Sequence, residues 1–168
     1  MFERCTTSVR RAIFFANYLA LMSERPYITS VDLLACLLFD NDSRVQTIFK
    51  LREHFPLYNG CPPKFAKMPE PQTGPALTDD SKMILAWADM EATYLVDYWI
   101  DTEHLLLGIM HVQPSVAASY LARAGLTLDA VRKSIRNNRA SRPNYGRASR
   151  WWLIKTRLAK LTLQTWAP

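Results

Sequence analysis

The sequence predicts an all-α fold built from two copies of one helical unit. Residues 77–121 align without a gap on residues 5–49, at an offset of 72 positions. Identities are few, but the apolar pattern agrees along both segments. The identical pairs are Thr6 and Thr78, Ala16 and Ala88, Ala20 and Ala92, Ile28 and Ile100, Leu33 and Leu105, Leu34 and Leu106, and Ser43 and Ser115. A repeated helical unit of this size buries its apolar face against its partner copy. We therefore predict one pseudo-two-fold bundle of about seven helices.

The first repeat, at about residues 1–52, predicts three helices. Apolar residues recur at three- and four-residue spacing from Thr6 to Glu24, where a following proline prevents continuation. Thr29 and Asp32 have the spacing of a capping box at the start of a second helix. Ser43 is placed to open a third helix.

A proline-rich linker at residues 53–76 separates the repeats, with six prolines and two of the five glycines between Pro56 and Pro75. The second repeat, at residues 77–138, has a complete set of helix starts. We expect N-caps at Thr78, Asp101, Ser115 and Thr127. Gly125 suits a left-handed helix end, so residues 1–138 should form one domain of seven helices with no strand.

Residues 139–168 form a basic tail. They hold seven Lys or Arg and no acidic residue, whereas residues 1–138 hold fourteen basic and fifteen acidic residues. The net charge of +6 therefore belongs to the tail, which also contains three of the five tryptophans. The candidate docking residues are Trp151, Trp152, Lys155, Arg157 and Lys160. Such a segment can fold back on the domain, bind an acidic groove on a partner protein, or lie on an anionic membrane surface. Nucleic acid is disfavoured because no basic patch on residues 1–138 supports it.

Composition places the chain among globular cytoplasmic proteins. Of its 168 residues, 49% are hydrophobic, which is enough for an adequate core. It has no apolar run of membrane-spanning length, and early arginines interrupt any signal-peptide pattern. The cysteines, Cys5, Cys36 and Cys61, are odd in number and widely spaced, which favours reduced thiols.

Signatures of enzymatic chemistry are missing from the sequence. It contains no phosphate-binding loop of the GxxxxGK[ST] type, no nucleophile elbow and no HExxH motif. Asp101, His104 and His111 fall on one helix face, but one helix offers too few ligands for a metal. We therefore predict a protein that is not an enzyme and has no cofactor or metal, with Asp101 as a helix cap and His104 as a polar residue at the helix start.

Several short stretches resemble a known family. They are Met1–Arg4 with Thr6, Tyr27–Ile28, Ile100–Gly108 (IDTEHLLLG), Ala122–Leu126 and Leu128–Arg132. Together they resemble the double-repeat N-terminal domain of Clp-type AAA+ unfoldases, the ClpA and ClpC kind, over about residues 1–138. The resemblance implies a substrate- or adaptor-binding domain.

The resemblance also implies ligand-binding residues. In that family, a threonine opening each repeat and the glutamate of each TEH motif face a groove, which in some members binds phosphorylated arginine. Carried over, these groups are Thr78 and Glu103 in the second repeat and Thr6 in the first. Val31 replaces the first-repeat glutamate and Asp32 belongs to the capping box, so a single residual site at Thr78 and Glu103 is expected. The alternative is that Glu103 simply stabilises the helix N-terminus.

The most consistent interpretation is a non-catalytic protein-recognition module of a Clp protease system. Its expected partners are substrates, an adaptor, or the Clp ATPase or peptidase to which it would attach. The alternative is a membrane-surface or stress-scaffold protein that acts through the basic tail.

Overall fold

A computed structural model of the chain describes residues 2–39, 44–50 and 75–138. Over these residues, seven α-helices follow a short 3-10 turn at Phe2–Arg4, and two two-residue strands lie between helices. The helices are α1 (Thr7–Met22), α2 (Ser30–Phe39), α3 (Arg44–Phe49), α4 (Asp79–Tyr94), α5 (Thr102–His111), α6 (Val116–Arg123) and α7 (Leu128–Asn137). The strands are β1 (Tyr27–Ile28) and β2 (Ala76–Leu77). The predicted all-α class is confirmed.

The internal repeat extends to individual backbone positions. Both ends of α1 and α2 fall 72 positions before the ends of α4 and α5, and α3 and α6 begin at positions with the same offset. Glu24 and Val96, also 72 positions apart, both have positive φ angles, of 52° and 61°. The two copies therefore share their helix starts and the left-handed turn after the first helix.

Short backbone segments of the two copies pair with each other. Strand β1 pairs in parallel with β2, so that Ile28 lies opposite Leu77. The equivalent bridge joins Cys5 to Ile100. The segment before the first helix of each copy thus pairs with the segment before the second helix of the other copy. The sequence did not predict these strands, because an apolar alternation cannot be recognised over two residues.

Helices α2 and α5 form the centre of the domain and pack against each other. Both are buried along nearly their whole length, with Leu33, Leu37, Leu105 and Ile109 fully inaccessible. Helix α4 approaches α5 closely at Gly108, where an added Cβ would lie 2.3 Å from the carbonyl oxygen of Ile84. This close contact holds α4 and α5 together inside the second repeat.

The predicted helix ends are largely confirmed. Side chains of Thr6, Thr78, Asp101, Ser115 and Thr127 each accept a backbone hydrogen bond at a helix N-terminus. Gly125 follows α6 with a φ of +78°. This agreement is expected, because capping depends on residues only a few positions apart.

Cys5 and Cys36 are buried thiols outside any disulfide. Cys61, most of the linker, and the tail residues Trp151, Trp152, Lys155, Arg157 and Lys160 lie outside the described residues. The domain boundaries at 52, 76 and 138 stay predictions. Within the described ranges, no single helix has the length and apolarity to cross a membrane; α5 and α6 meet that test only as a pair bent by 102°.

Candidate functional site

Several side-chain and backbone hydrogen bonds converge at the start of α5. Asp101 accepts hydrogen bonds from the Thr102 backbone at 2.7 Å and from the Thr6 hydroxyl at 3.1 Å. His104 Nδ1 accepts a hydrogen bond from the Asp101 backbone N–H at 2.9 Å, which completes a capping box. Because Thr6 belongs to the other repeat, the two copies meet at this helix start.

The start of α2 has a side-chain pair equivalent to one at the start of α5, but the acidic and basic residues have exchanged positions. Asp32 accepts a hydrogen bond from the Thr29 backbone at 2.8 Å and a bidentate pair from Arg25 at 2.6 and 2.9 Å. At the matching positions of the second repeat, Asp97 lies 3.2 Å from His104 Nε2. Burial alone would raise the pKa of Asp32, but the hydrogen bonds from Arg25 and Thr29 lower it below its ordinary value. The carboxylate is committed to this helix start, as the sequence predicted.

Glu103 is fully buried, with 0% of its surface exposed, and it is ion-paired with Arg44 at the start of α3. The Arg44 Nε group donates to the carboxylate, and Nη2 donates to the backbone oxygen of Asn138 at 3.1 Å. The pair therefore joins α3, α5 and the end of α7. Sequence reasoning did not identify Arg44. The available signal was the repeat alignment, in which Glu103 stands opposite Val31 and Arg44 stands opposite Val116.

Each predicted ligand-binding threonine contacts the other repeat, near the start of that repeat's second helix. Thr6 lies at the start of α5, the helix of Glu103, through its hydrogen bond to Asp101. Thr78 instead lies beside β1, where its backbone N–H and hydroxyl donate to the Ile28 carbonyl at 3.1 and 3.2 Å. The structure thus brings Thr6 to the start of α5, and Thr78 to the segment that leads into α2. Their ligand-binding role stays a prediction.

Asp97, Glu103 and His104 place one ligand atom each within 4.8 Å of one another, which is a spacing that a metal ion can bridge. The hydrogen bonds argue for a different role. Since His104 Nδ1 accepts a backbone hydrogen bond, the hydrogen resides on Nε2, which donates to Asp97 and offers no lone pair. Glu103 is already paired with Arg44. Asp97 and His104 thus form a hydrogen-bonded pair, and Glu103 forms a separate ion pair with Arg44.

His111 takes part in a second network, whose partners differ from those of Asp101 and His104. Its ring stacks on Trp87 at 4.1 Å, and its Nε2 donates to a Glu91 carboxylate oxygen at 2.6 Å. Arg132 donates to the same carboxylate through Nε, at 3.1 Å, and through Nη2. This network ties α7 to α4 and α5.

The Glu91 carboxyl is strongly perturbed by its surroundings. Burial alone would raise its pKa, but hydrogen bonds from His111 and Arg132 more than offset this and lower the pKa to about 2. The same contact raises the pKa of Arg132. A carboxylate held in this charged form is a structural anchor, since a general base needs a pKa closer to its working pH.

Helix α4 carries an exposed apolar surface, which we call the α4 stripe. Met83, Trp87, Met90 and Tyr94 recur at helical spacing on one side of the helix. Met83, Met90 and Tyr94 are 50%, 43% and 41% exposed, and Trp87 is partly buried. Large exposed apolar side chains that share a face are typical of interaction surfaces. Methionines suit such surfaces because their flexible side chains adapt to different partners.

Comparison with known proteins shows that part of the chain matches one protein family. Residues 76–150 match the family model described as Clp repeat (R) N-terminal domain. The chaperone protein ClpB of Propionibacterium freudenreichii subsp. shermanii is 29% identical over 146 residues. That alignment covers 83% of this chain and 17% of ClpB, so the chain corresponds to a small part of that relative.

Solved structures show the same fold. The N-terminal domain of the caseinolytic protease associated chaperone ClpD from Arabidopsis thaliana matches with a TM-score of 0.58 at 19% identity, over 83% of this chain and 97% of that one. The Hsp104 N-terminal domain from Candida albicans matches with a TM-score of 0.61 at 17% identity, over 82% and 93% of the two chains. At these identities the likeness concerns the fold.

Proposed function

We propose that the chain is a non-catalytic protein-recognition module of a Clp protease system, because residues 76–150 match the model of the Clp repeat (R) N-terminal domain family. In Clp ATPases, domains of this family bind substrates or adaptors. The module would deliver client proteins or attach to the ATPase or peptidase core.

The observation that carries this proposal is the α4 stripe. A domain of this size normally buries side chains such as Met83 and Met90, whereas here they remain about half exposed on one helix face. The polar groups that could serve chemistry are instead committed to structural contacts, as in the networks of Glu91 and of Asp97 with His104. An apolar surface on a rigid helix suits the recognition of apolar segments in unfolded proteins.

The test measures binding of a permanently unfolded protein, carboxymethylated casein, to the purified chain by fluorescence anisotropy. Replacing Met83→Ser together with Met90→Ser removes two apolar contacts and should weaken binding by about tenfold or more, because each buried methionine side chain contributes about 1.5–3 kcal/mol. A second measurement asks whether the chain co-purifies with the Clp ATPase or peptidase of its own cell.

The matched control replaces Lys82→Ser and Ala86→Ser, which are exposed on the neighbouring side of the same helix. This variant should bind casein as the wild type does. Equal weakening by both variants would mean that helix stability, and not the α4 stripe, determines binding. Absence of binding to casein and to both Clp components would contradict the proposed function.

A further inference from the structure

The α4 stripe is an exposed apolar surface among the described residues, and residues 139–168 follow α7 with three tryptophans and no acidic residue. We propose that residues 150–166, which we call the Trp-rich segment, bind the α4 stripe of the same molecule and compete there with client proteins. This inference rests on the proposed function, since it concerns how access to that surface is regulated.

The end of α7 lies beside the end of the α4 stripe. The guanidinium carbons of Arg132 and Arg136 lie 5.2 and 5.6 Å from the centre of the Tyr94 ring. Arg132 also donates to the Glu91 carboxylate on α4. Residues 139–168 therefore begin close to Tyr94, which is the last side chain of the stripe.

The connecting residues are long enough to reach the whole stripe. Residues 139–149 are eleven in number, and a chain of that length spans up to about 36–40 Å when extended. Helix α4 has 16 residues and, at a rise of about 1.5 Å per residue, is about 24 Å long. The Trp-rich segment can thus lie anywhere along α4.

Charge favours α4 over the equivalent helix of the first repeat. Helix α4 holds four acidic residues and one basic residue, with Asp79 and Asp80 exposed at its start. Helix α1 holds two arginines and no acidic residue. The Trp-rich segment has four basic residues and no acidic one, so it is attracted to α4 and repelled by α1.

The stripe itself also distinguishes the two helices. Arg11 and Tyr18 of α1 stand at the positions equivalent to Met83 and Met90. Tyr18 is buried, with 2% of its surface exposed, so these two positions of α1 offer no exposed apolar side chain. A segment that carries both indoles and cations therefore matches α4 in its apolar part and in its charged part.

The spacing of apolar and basic residues in the Trp-rich segment fits α4 when the segment runs from Tyr94 towards Asp80. In an extended chain, Trp151 and Arg157 lie about 20 Å apart, and Tyr94 and Asp80 are separated by about 21 Å along the helix. The indoles of Trp151 and Trp152 would then meet the apolar end of α4. Each indole can bury about 150–250 Å², and methionine thioethers make favourable contacts with aromatic rings.

Attachment through a short linker makes weak binding sufficient. A segment joined in this way acts at an effective concentration of about 1 mM. If it binds the stripe with a dissociation constant of about 0.1 mM, it covers the stripe in about nine of ten molecules. Since a client binds only uncovered molecules, its apparent affinity should be about tenfold lower than for a variant whose segment does not bind.

Methionine oxidation tests whether the stripe is covered. The intact chain is treated with hydrogen peroxide, and sulfoxide formation at each methionine is followed by peptide mass spectrometry. Met83 and Met90 are 50% and 43% exposed and Met22 on α1 is 52% exposed, so without a cover the three should react at similar rates. We expect Met83 and Met90 to react about tenfold more slowly than Met22 in the wild type. Met110 is 8% exposed and should react slowly in every variant, which reports that the core is intact.

Substitutions in the intact chain identify the cover. Trp151→Ser together with Trp152→Ser should raise the oxidation rates of the two stripe methionines about tenfold and leave Met22 unchanged. The matched control is Tyr145→Ser, which removes an aromatic side chain outside the Trp-rich segment and should change none of the rates.

A second variant tests the charges of the segment and decides the matter if the tryptophan variant also exposes Met110. Lys155→Ser together with Arg157→Ser should raise the oxidation rates of the stripe methionines. A salt concentration of about 1 M should do the same for the wild type, because both changes weaken the attraction to α4.

Oxidation of Met83 and Met90 as fast as that of Met22 in the wild type would overturn the proposal, and so would protection that persists in both variants of the segment. Protection that grows with protein concentration would overturn the intramolecular contact in favour of a second copy of the chain. These measurements contain no client, so the contact can be established even if casein does not bind. If casein binds the tryptophan variant no more tightly than the wild type, competition with clients is refuted while recognition through the α4 stripe stands.

Discussion

The Glu91 network makes one buried carboxylate a large contributor to the acid stability of this domain. Glu91 is buried and receives hydrogen bonds from His111 and Arg132, which keep it ionised in the folded state. Glu91→Gln retains the shape of the side chain and removes its charge. At neutral pH the variant should unfold more easily, because a neutral amide replaces a charge-assisted pair and leaves Arg132 partly buried with a weaker partner.

The pKa shift sets the magnitude. The pKa falls from 4.5 to about 2 in the folded protein, which corresponds to about 3 kcal/mol of unfolding free energy. Since the folded-state pKa is the lower one, this contribution is fully present above pH 4.5. It is lost progressively as the pH falls from 4.5 towards 2, because the unfolded chain then binds the proton first.

Urea denaturation followed by circular dichroism from pH 7 to pH 2.5 measures this dependence. The wild type should lose stability steeply below pH 4.5, and Glu91→Gln should be less stable at pH 7 with a flatter pH dependence. The control is Asp79→Asn, which removes an exposed carboxylate bridged to Lys82 at 2.9 Å on the same helix. Solvent screens such a pair, so the change should be small. Parallel pH profiles for wild type and Glu91→Gln would refute the reasoning.

One substitution probes the packing of α4 on α5 inside the second repeat, and one labelling experiment probes the pairing between the repeats. Gly108→Ala should lower the unfolding free energy by about 2–3 kcal/mol in urea denaturation, because its Cβ would lie 2.3 Å from a backbone oxygen of α4; a neutral result would mean that α4 and α5 separate easily. The Cys5 thiol is buried at the bridge to Ile100, and burial raises its pKa. Iodoacetamide should therefore modify Cys5 slowly in the native protein and quickly in urea, and rapid native labelling would indicate frequent opening of the bridge.

The sequence predicted the features that depend on nearby residues. Helix starts at Thr78, Asp101 and Thr127 were recognisable because each cap acts within three positions of the chain. The repeat was recognisable because apolar spacing survives low identity. The fold class followed from these two kinds of local information.

The polar site was harder to predict because its partners are distant in sequence. Arg44 and Glu103 are separated by 59 positions, and Glu91 and Arg132 by 41. The acid of each pair is nevertheless recognisable in the repeat alignment, because it aligns with an apolar residue of the first copy. Glu91 aligns with Leu19, and Glu103 aligns with Val31. A charge at a position that the other copy fills with an apolar residue indicates a buried partner. Such comparison would have found both acids and Arg44, which stands opposite Val116, but not Arg132, which lies beyond the aligned residues 77–121.

The crosswise pairing of Cys5 with Ile100 and of Leu77 with Ile28 gives the domain the geometry of a homodimer within one chain. Each copy offers the same edge to the other, as in an isologous interface between two identical subunits. The connecting segment then acts mainly by raising the effective concentration of one half around the other. Two separately expressed halves should consequently assemble into the native arrangement at high concentration, and each alone should expose an unpaired edge that invites self-association.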